Sequence, residues 1–415
     1  MNGIVLQLLF LPCFLIIWDS TSGQEIDLVL KGGHVIDPRN NIDAVMDVAI
    51  DDGRIVEVAP SLSTEQAFQV IDVSGLYVTP GLIDLHGHVY FGTEPDASYS
   101  NGYNAIPPDG FTFRSGVTTI VDVGGAGWRN FTDFKRQTID HSKTRVLAFL
   151  NIVGRGMKGS DVEQNLEDMN AELTAGEALR HRDYVVGIKV AHYMGPEWDP
   201  VERAVEAGNI AGLPVMVDFG GNEPELSLET LLMEKLRPGD IFTHTYAQVR
   251  GRIPILDDAR KLRPFIMEAQ KRGLIFDVGH GGGSFVFDQA IPATRQGFKP
   301  NTISTDLHIG SMNSGMKDQL NVMSKFLYLG LSMYEVIEKS TWNSARVIHR
   351  SDLGHISPGA VADVAVLNLQ QGEFGFIDVR GWKVQGSQKL TCELTLKDGV
   401  AVWDLNGISR PVWEE

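Results

Sequence analysis

The chain has 415 residues, 43% of them hydrophobic and 21% charged, and a formal net charge of −17. That is a globular composition, which excludes collagen-like, low-complexity and disordered classes. A surface this acidic argues against nucleic acid and anionic membrane as partners.

The first elements are at the N-terminus. Ile4 to Trp18 is an almost unbroken apolar run, and small polar residues follow it. This reads as an export signal over residues 1–23, cleaved near Ser22-Gly23-Gln24. The run is short for a membrane span, and no Lys or Arg precedes it. An uncleaved anchor is the alternative. With the signal removed, the protein is expected in a periplasm or secreted, without stable membrane association. Cys392 is then the one cysteine left, so no intramolecular disulfide forms.

Residues 24–79 are dense in strand signals, among them IDLVLKGGHVID, MDVAIDDGRIVEVA and FQVIDVSGLYVT. Turn cues such as KGG and DDG separate them, as in a β-meander. The same texture returns over 355–415. The two ends are expected to build one small β-sandwich around an inserted domain.

That inserted domain, residues 80–354, opens on PGLIDLHGHVY. Residues 76–85 read as a strand entering a core. Residues i and i+2 of a strand share a face, so His86 and His88 project together and could grip one metal ion. An isolated H-x-H is more often a core histidine beside a loop histidine, so the rest of the chain must decide.

Seven more strand candidates follow, at 117–123, 145–152, 184–192, 213–219, 240–246, 273–280 and 301–308. Helical patterns lie between them, such as DVEQNLEDMNAELTAGEALRH, PVERAVEAGNIAG and DARKLRPFIMEAQKRG. Eight βα units in series predict an α/β fold, a TIM-type (β/α)8 barrel. Chemistry in such barrels sits at the C-terminal strand ends. Polar residues collect there: His86 and His88, Lys189, Asp218, His244, His280, then Asp306 with His308 beyond. Lys189 is the oddest of these. A buried ammonium must be paired, neutral or modified. A neutral lysine can take up CO2 and become a carbamate that bridges two cations.

On these residues the chain resembles the amidohydrolase superfamily of metal-dependent hydrolases. The likeness covers nearly everything after the signal, from VTPGLIDLHGH to the closing SARVIHRSDLGHISPGAVADVAVL. LRPGDIFTHTY, IFDVGHGGGSF and TISTDLH are similar to a deacetylase-like branch related to dihydroorotases and D-aminoacylases. The resemblance implies zinc, two ions per chain, though other divalent metals fit. His86 and His88 would hold the first ion and His244 the second. The carbamate of Lys189 would bridge them. Asp306 would bind the first ion and take the proton from the attacking water. His280 and His308 would line the substrate side.

One position departs from the pattern. Many members place a histidine where Asp218 stands. Asp218 could be a replacement ligand, could orient His244 or a water, or could mark a weak second site. His192, Arg129 and Arg252 could bind a substrate carboxylate, but each reads more readily as a plain residue, the arginines on the surface or in a loop and the histidine in a loop. Asp84 reads as structural. The glycine runs at 124–127 and 281–283 lack the context of phosphate loops and suggest close backbone approach to a substrate. The long polar loop 90–110 is expected to shape the pocket.

The implied activity is hydrolysis of an N-acyl or N-acetyl bond in a small molecule. A cyclic amide, an ester or a lactone is the alternative. A metal-free scaffold is a poorer fit because nearly all ligand positions are kept, and a solute-binding protein would need no bridging lysine. The resemblance leaves a homo-oligomer open.

Overall fold

A computed structural model of the protein describes residues 26–91, 104–218 and 226–414. The export signal expected at 1–23 lies outside the described residues, as does most of the loop 90–110.

Strands from both chain ends share one mixed sheet. Its N-terminal members are β1 (Ile26–Asp37), β2 (Ile42–Asp51), β3 (Arg54–Ala59), β4 (Ala67–Asp72) and β5 (Tyr77–Pro80). A second, parallel sheet holds β6 (Leu82–Gly87), β7 (Val117–Gly127), β8 (Arg145–Asn151), β9 (Val185–Val190), β10 (Val215–Val217), β11 (Ile241–Phe242) and β12 (Ile275–Phe276). The chain then returns to the first sheet as β13 (Val364–Ile377), β14 (Lys383–Lys397) and β15 (Val400–Asp404).

The mixed sheet runs β15-β14-β13-β5-β1-β2-β3, with β4 beside β1. It is one continuous sheet, not two separate facing sheets. Its apolar cluster joins Ile55 of β3 to Leu394 and Leu396 of β14, so the sheet curls around its own core. The join between the chain ends is antiparallel, with Val364 opposite Pro80 and Leu367 opposite Tyr77.

The parallel sheet runs β6 to β12 in chain order, the open sequence of a TIM-like barrel. An apolar cluster drawn from β6 through β11 includes Leu85, Val123, Phe149, Val186, Met216 and Ile241. Ala345 of the helix Trp342–Val347, and Ile348 and Leu353 just beyond it, belong to the same cluster. The expected eighth strand, 301–308, forms no ladder. It makes one parallel bridge to each edge of the sheet, Thr302 to Asp277 and Leu307 to Gly87. Its hydroxyls are used instead on buried carboxylates of the neighbouring strands. Thr302 and Ser304 donate to Asp277, and Thr305 donates to Asp84.

The single strand expected over 76–85 is two strands divided at Gly81. Pro80 has no N–H to continue a ladder. Gly81 N donates to Asp363 O at 2.8 Å, and a Cβ on Gly81 would lie 2.2 Å from Thr118 Oγ1. The chain therefore changes sheets at the one glycine of this stretch. The helical pattern 161–181 is also shorter than expected. Its regular helix is Ala171–Arg180, begun by Asn170, whose side chain accepts from Leu173 N. Pro264 opens the helix Pro264–Lys271, which excludes residues 258–263 from it.

Asp363 joins the two sheets. It accepts from Arg145 of β8 at 2.5 Å and from Lys397 of β14 at 3.1 Å. The Lys397 side chain is only 6% exposed. Asp363→Ala should cost about 3 kcal/mol, the low end for a broken buried pair, because Asp398 still reaches Lys397. Urea denaturation of the two proteins measures it.

Candidate active site

Strand ends of the parallel sheet surround a cavity of about 460 Å³. Its wall includes His86, His88, Lys189, His192, Asp218, His244, Asp306 and His308, with Glu163, Met157 and Lys158 at the β8 side. These positions span more than 200 residues of sequence.

His86, His88 and Asp306 form the tightest group. One donor atom from each lies within 4.8 Å of the others, and all three residues are buried. His88 Nε2 is 2.8 Å and His86 Nε2 3.6 Å from Asp306 Oδ1. His86 is oriented from behind. Thr243 Oγ1 donates to Asp277 Oδ2 at 2.8 Å, so it accepts from His86 Nδ1 at 2.9 Å. That fixes the tautomer and leaves Nε2 bare toward the cavity. Burial, then the Lys189 charge, pushes the His86 imidazole down to about 3. Burial works to raise the Asp306 carboxyl, but His86 and His88 hold it below the usual carboxylate range.

Lys189, at the end of β9, is 1% exposed, and its Nζ has no hydrogen-bond partner among the described residues. Burial depresses its pKa, favouring the neutral amine. Two glycines make room here. A Cβ on Gly124 would lie 2.8 Å from Lys189 Cγ, and one on Gly281 would lie 2.4 Å from Asp306 Oδ2. The glycine runs thus admit site side chains, where the sequence suggested close approach to a substrate.

Asp218 stands between two histidines. Its Oδ2 is 3.3 Å from His244 Nε2 and 3.3 Å from His192 Nε2. His244 Nδ1 donates to Gly279 O at 2.6 Å, and His192 Nδ1 lies 2.8 Å from Glu163 Oε2. Burial raises the Asp218 carboxyl, yet His244, Lys189 and His192 bring it well below its ordinary range. His192, His244 and Asp306 all have left-handed backbones, with φ of 52°, 56° and 54°. Strain of this kind collects where tertiary structure over-determines a functional residue.

Two expectations need correction. His280 does not line the cavity. It is fully buried, stacked 4.5 Å from Phe285, and its Nε2 accepts from Lys325 Nζ at 2.8 Å. An aromatic pocket and a buried amine draw the ring away from the site. Arg252 is no plain loop arginine. It is 7% exposed and donates to Asp218 Oδ1 at 3.2 Å. Arg129, by contrast, sits away from the cavity, paired to Asp168 and stacked on Trp128. His308 lines the cavity and also caps a short helix, its Nδ1 accepting from Gly310 N at 3.1 Å. Asp84 accepts from Thr305 and from His86 N, a structural tie.

Sequence reasoning missed Glu163, Asp277 and Asp122. Asp122 accepts from Val89 N, Tyr90 N and Gly125 N, shaping the turn beyond His88. A lone acid inside VTTIVDV was a readable signal for it. Glu163 lies in a polar stretch that carried none.

Relatives give the site its family. A deacetylase of Brucella anthropi is 33% identical over 348 residues, covering 82% of this chain and 83% of the relative. The chain belongs to the amidohydrolase family. A model of that family matches residues 287–401. A deacetylase of Enterococcus faecalis is 31% identical over 367 residues, covering 86% and 94%. A solved adenine deaminase superposes with a TM-score of 0.82 at 29% identity, covering 91% of this chain and all of that one. A dihydroorotase structure gives 0.79 at 28%, covering 91% and 99%. This amidohydrolase is an enzyme acting on carbon–nitrogen bonds other than peptide bonds.

Lys325 has a measurable signature. Burial lowers its pKa to about 7, and Nζ donates to Gly315 O and His280. The unfolded lysine, near 10.5, binds more protons between those values, so this group makes stability rise with pH from about 7 to about 10. Lys325→Met should flatten that rise, read as urea midpoints across the range.

Proposed function

We propose that the amidohydrolase is a metal-dependent deacylase that removes an acetyl-class acyl group from nitrogen in a small molecule. One observation carries this reading. The imidazoles of His86, His88 and His244, the carboxylates of Asp218 and Asp306, and the Lys189 amine, buried without a hydrogen-bond partner among the described residues, come from five chain segments and meet on one cavity. Such a donor set suits divalent zinc. His86, His88 and Asp306 would hold one ion, and His244 with Asp218 would serve a second. Lys189, as its CO2-derived carbamate, would lie between them. When bound, such ions supply a polarised scissile carbonyl and an attacking water of near-neutral pKa.

The chain does the rest. Thr243 and Gly279 fix the His86 and His244 tautomers, so both Nε2 atoms face the cavity unprotonated. Asp306 accepts the proton of the attacking water and delivers it to the leaving nitrogen. Met157, Lys158 and Gly159 form the part of the wall against which an acyl group would sit. The deacetylase relatives support the N-acyl substrate. Ring opening of a cyclic amide fits the same residues and has support from the dihydroorotase neighbour. It yields one product where deacylation yields two. The bridges from 301–308 to both sheet edges support a closed eight-stave barrel.

Elemental analysis of the purified enzyme should find two zinc ions per chain, falling to one in Asp218→Ala. No metal after growth with zinc would overturn the proposal. Asp306→Asn should keep the fold and lower kcat by about 10²–10⁴-fold. A near-normal rate would remove Asp306 from proton transfer.

A further inference from the structure

We infer that His308 donates a hydrogen bond from Nε2 to the acyl oxygen of the substrate and stabilises the oxyanion that forms when water attacks. The inference deepens the deacylase reading above and rests on it.

The backbone sets the tautomer of this ring. His308 Nδ1 accepts from Gly310 N at 3.1 Å and from Ser311 N at 3.4 Å. A ring nitrogen that accepts carries no proton, so the proton of the imidazole is on Nε2. His86 and His244 are the reverse case. Each donates from Nδ1, to Thr243 Oγ1 and to Gly279 O, and leaves Nε2 bare. His308 Nε2 therefore has no lone pair to give a metal ion. It offers an N–H, and it offers it on the cavity wall.

The ring is held in place from two sides. Ser311 Oγ, fully buried, accepts from His308 N at 2.9 Å and donates to Asp306 O at 2.7 Å, which locks the two residues to each other. A Cβ on Gly310 would lie 2.9 Å from His308 Cε1, so a side chain there would tilt the ring.

Asp306 Oδ1 faces His86 and His88, which leaves Oδ2 to carry the proton. His308 Nε2 is 4.0 Å from that Oδ2, too long for a hydrogen bond between them. An amide whose nitrogen meets Oδ2 has its carbonyl oxygen one bond angle away, within that span of the Nε2–H. Negative charge develops on the oxygen, and a donor fixed beforehand acts best there. At the leaving nitrogen the same N–H would compete with the proton that Asp306 delivers. A neutral imidazole is also too weak an acid to supply that proton itself.

The test uses the zinc-loaded enzyme and methylphosphonate, a tetrahedral anion whose methyl group stands in for that of an acetyl group. Wild type is compared with His308→Asn and Gly310→Ala. Asparagine keeps a capping oxygen for the helix but is too short to place a donor where Nε2 lies. Alanine at 310 keeps the imidazole and tilts it. Calorimetry should find the anion bound about 10–100-fold more weakly by His308→Asn, the loss expected for a hydrogen bond to a charged group, with zinc content and thermal midpoint unchanged. Gly310→Ala should weaken binding in the same direction. Nitrogen-15 NMR of histidine-labelled enzyme should show the Nε2–H tautomer in the ring whose signals His308→Asn removes. Equal binding by wild type and His308→Asn, a proton on Nδ1, or zinc lost from His308→Asn would overturn the inference and leave the deacylase standing. Wild type that holds no zinc after growth with zinc would overturn both.

Discussion

The Asp277 carboxylate is the tie on which the site depends. It is fully buried and accepts from Thr243, Thr302 and Ser304. Its Oδ2 lies 3.7 Å from His86 Nδ1. One side chain so joins β6, β11, β12 and the segment that carries Asp306. A buried carboxylate without partners would be costly, and each of these donors offsets that cost. The same bonds explain why 301–308 is not a ladder strand. Its polar groups serve Asp277 and Asp84, and this brings Asp306 to His86 and His88. Thr243 adds a second consequence, because its hydroxyl sets the His86 tautomer.

Lys189 places the opposite demand on the fold. Its amine is buried with no hydrogen-bond partner among the described residues, within the electrostatic reach of Asp218 and Asp306, and its stem runs past Gly124. A fold that excludes water here gains nothing in stability from a bare lysine. Burial instead shifts Lys189 toward its neutral, nucleophilic form. Gly124 and Gly281 remove side chains where Lys189 and Asp306 need space. Arg252 and Glu163 stand behind Asp218 and His192. The cavity is therefore surrounded by residues whose work is to aim others.

The mixed sheet contributes rigidity of a different kind. Gly81 moves the chain from β5 to β6 in one residue, and Asp363 anchors that turn through Gly81 N while pairing with Arg145 and Lys397. Strands from both ends of the chain thus hold the first barrel strand, and with it His86 and His88. The lining of the cavity is set partly by a domain that does not touch it.

Much of this was legible in the sequence. Period-two apolar runs and turn glycines outlined the strands, and the H-x-H at a strand end, a lysine inside VVGIKVAH and an acid in TISTDLH marked polar residues that line the cavity. Those features are local, because a strand end fixes what kind of side chain it offers. The sequence did not show that 76–85 breaks at Gly81, that His280 turns to Lys325, or that Arg252 is buried on Asp218. It also did not show that Glu163 backs His192. These depend on contacts between residues tens or hundreds of positions apart, and on which partner best satisfies a buried polar group. The sequence alone determined which polar side chains the strand ends offer and the kind of fold. Only the tertiary structure decided their orientation, because tautomer, tilt and charge are set by neighbours that no local pattern records.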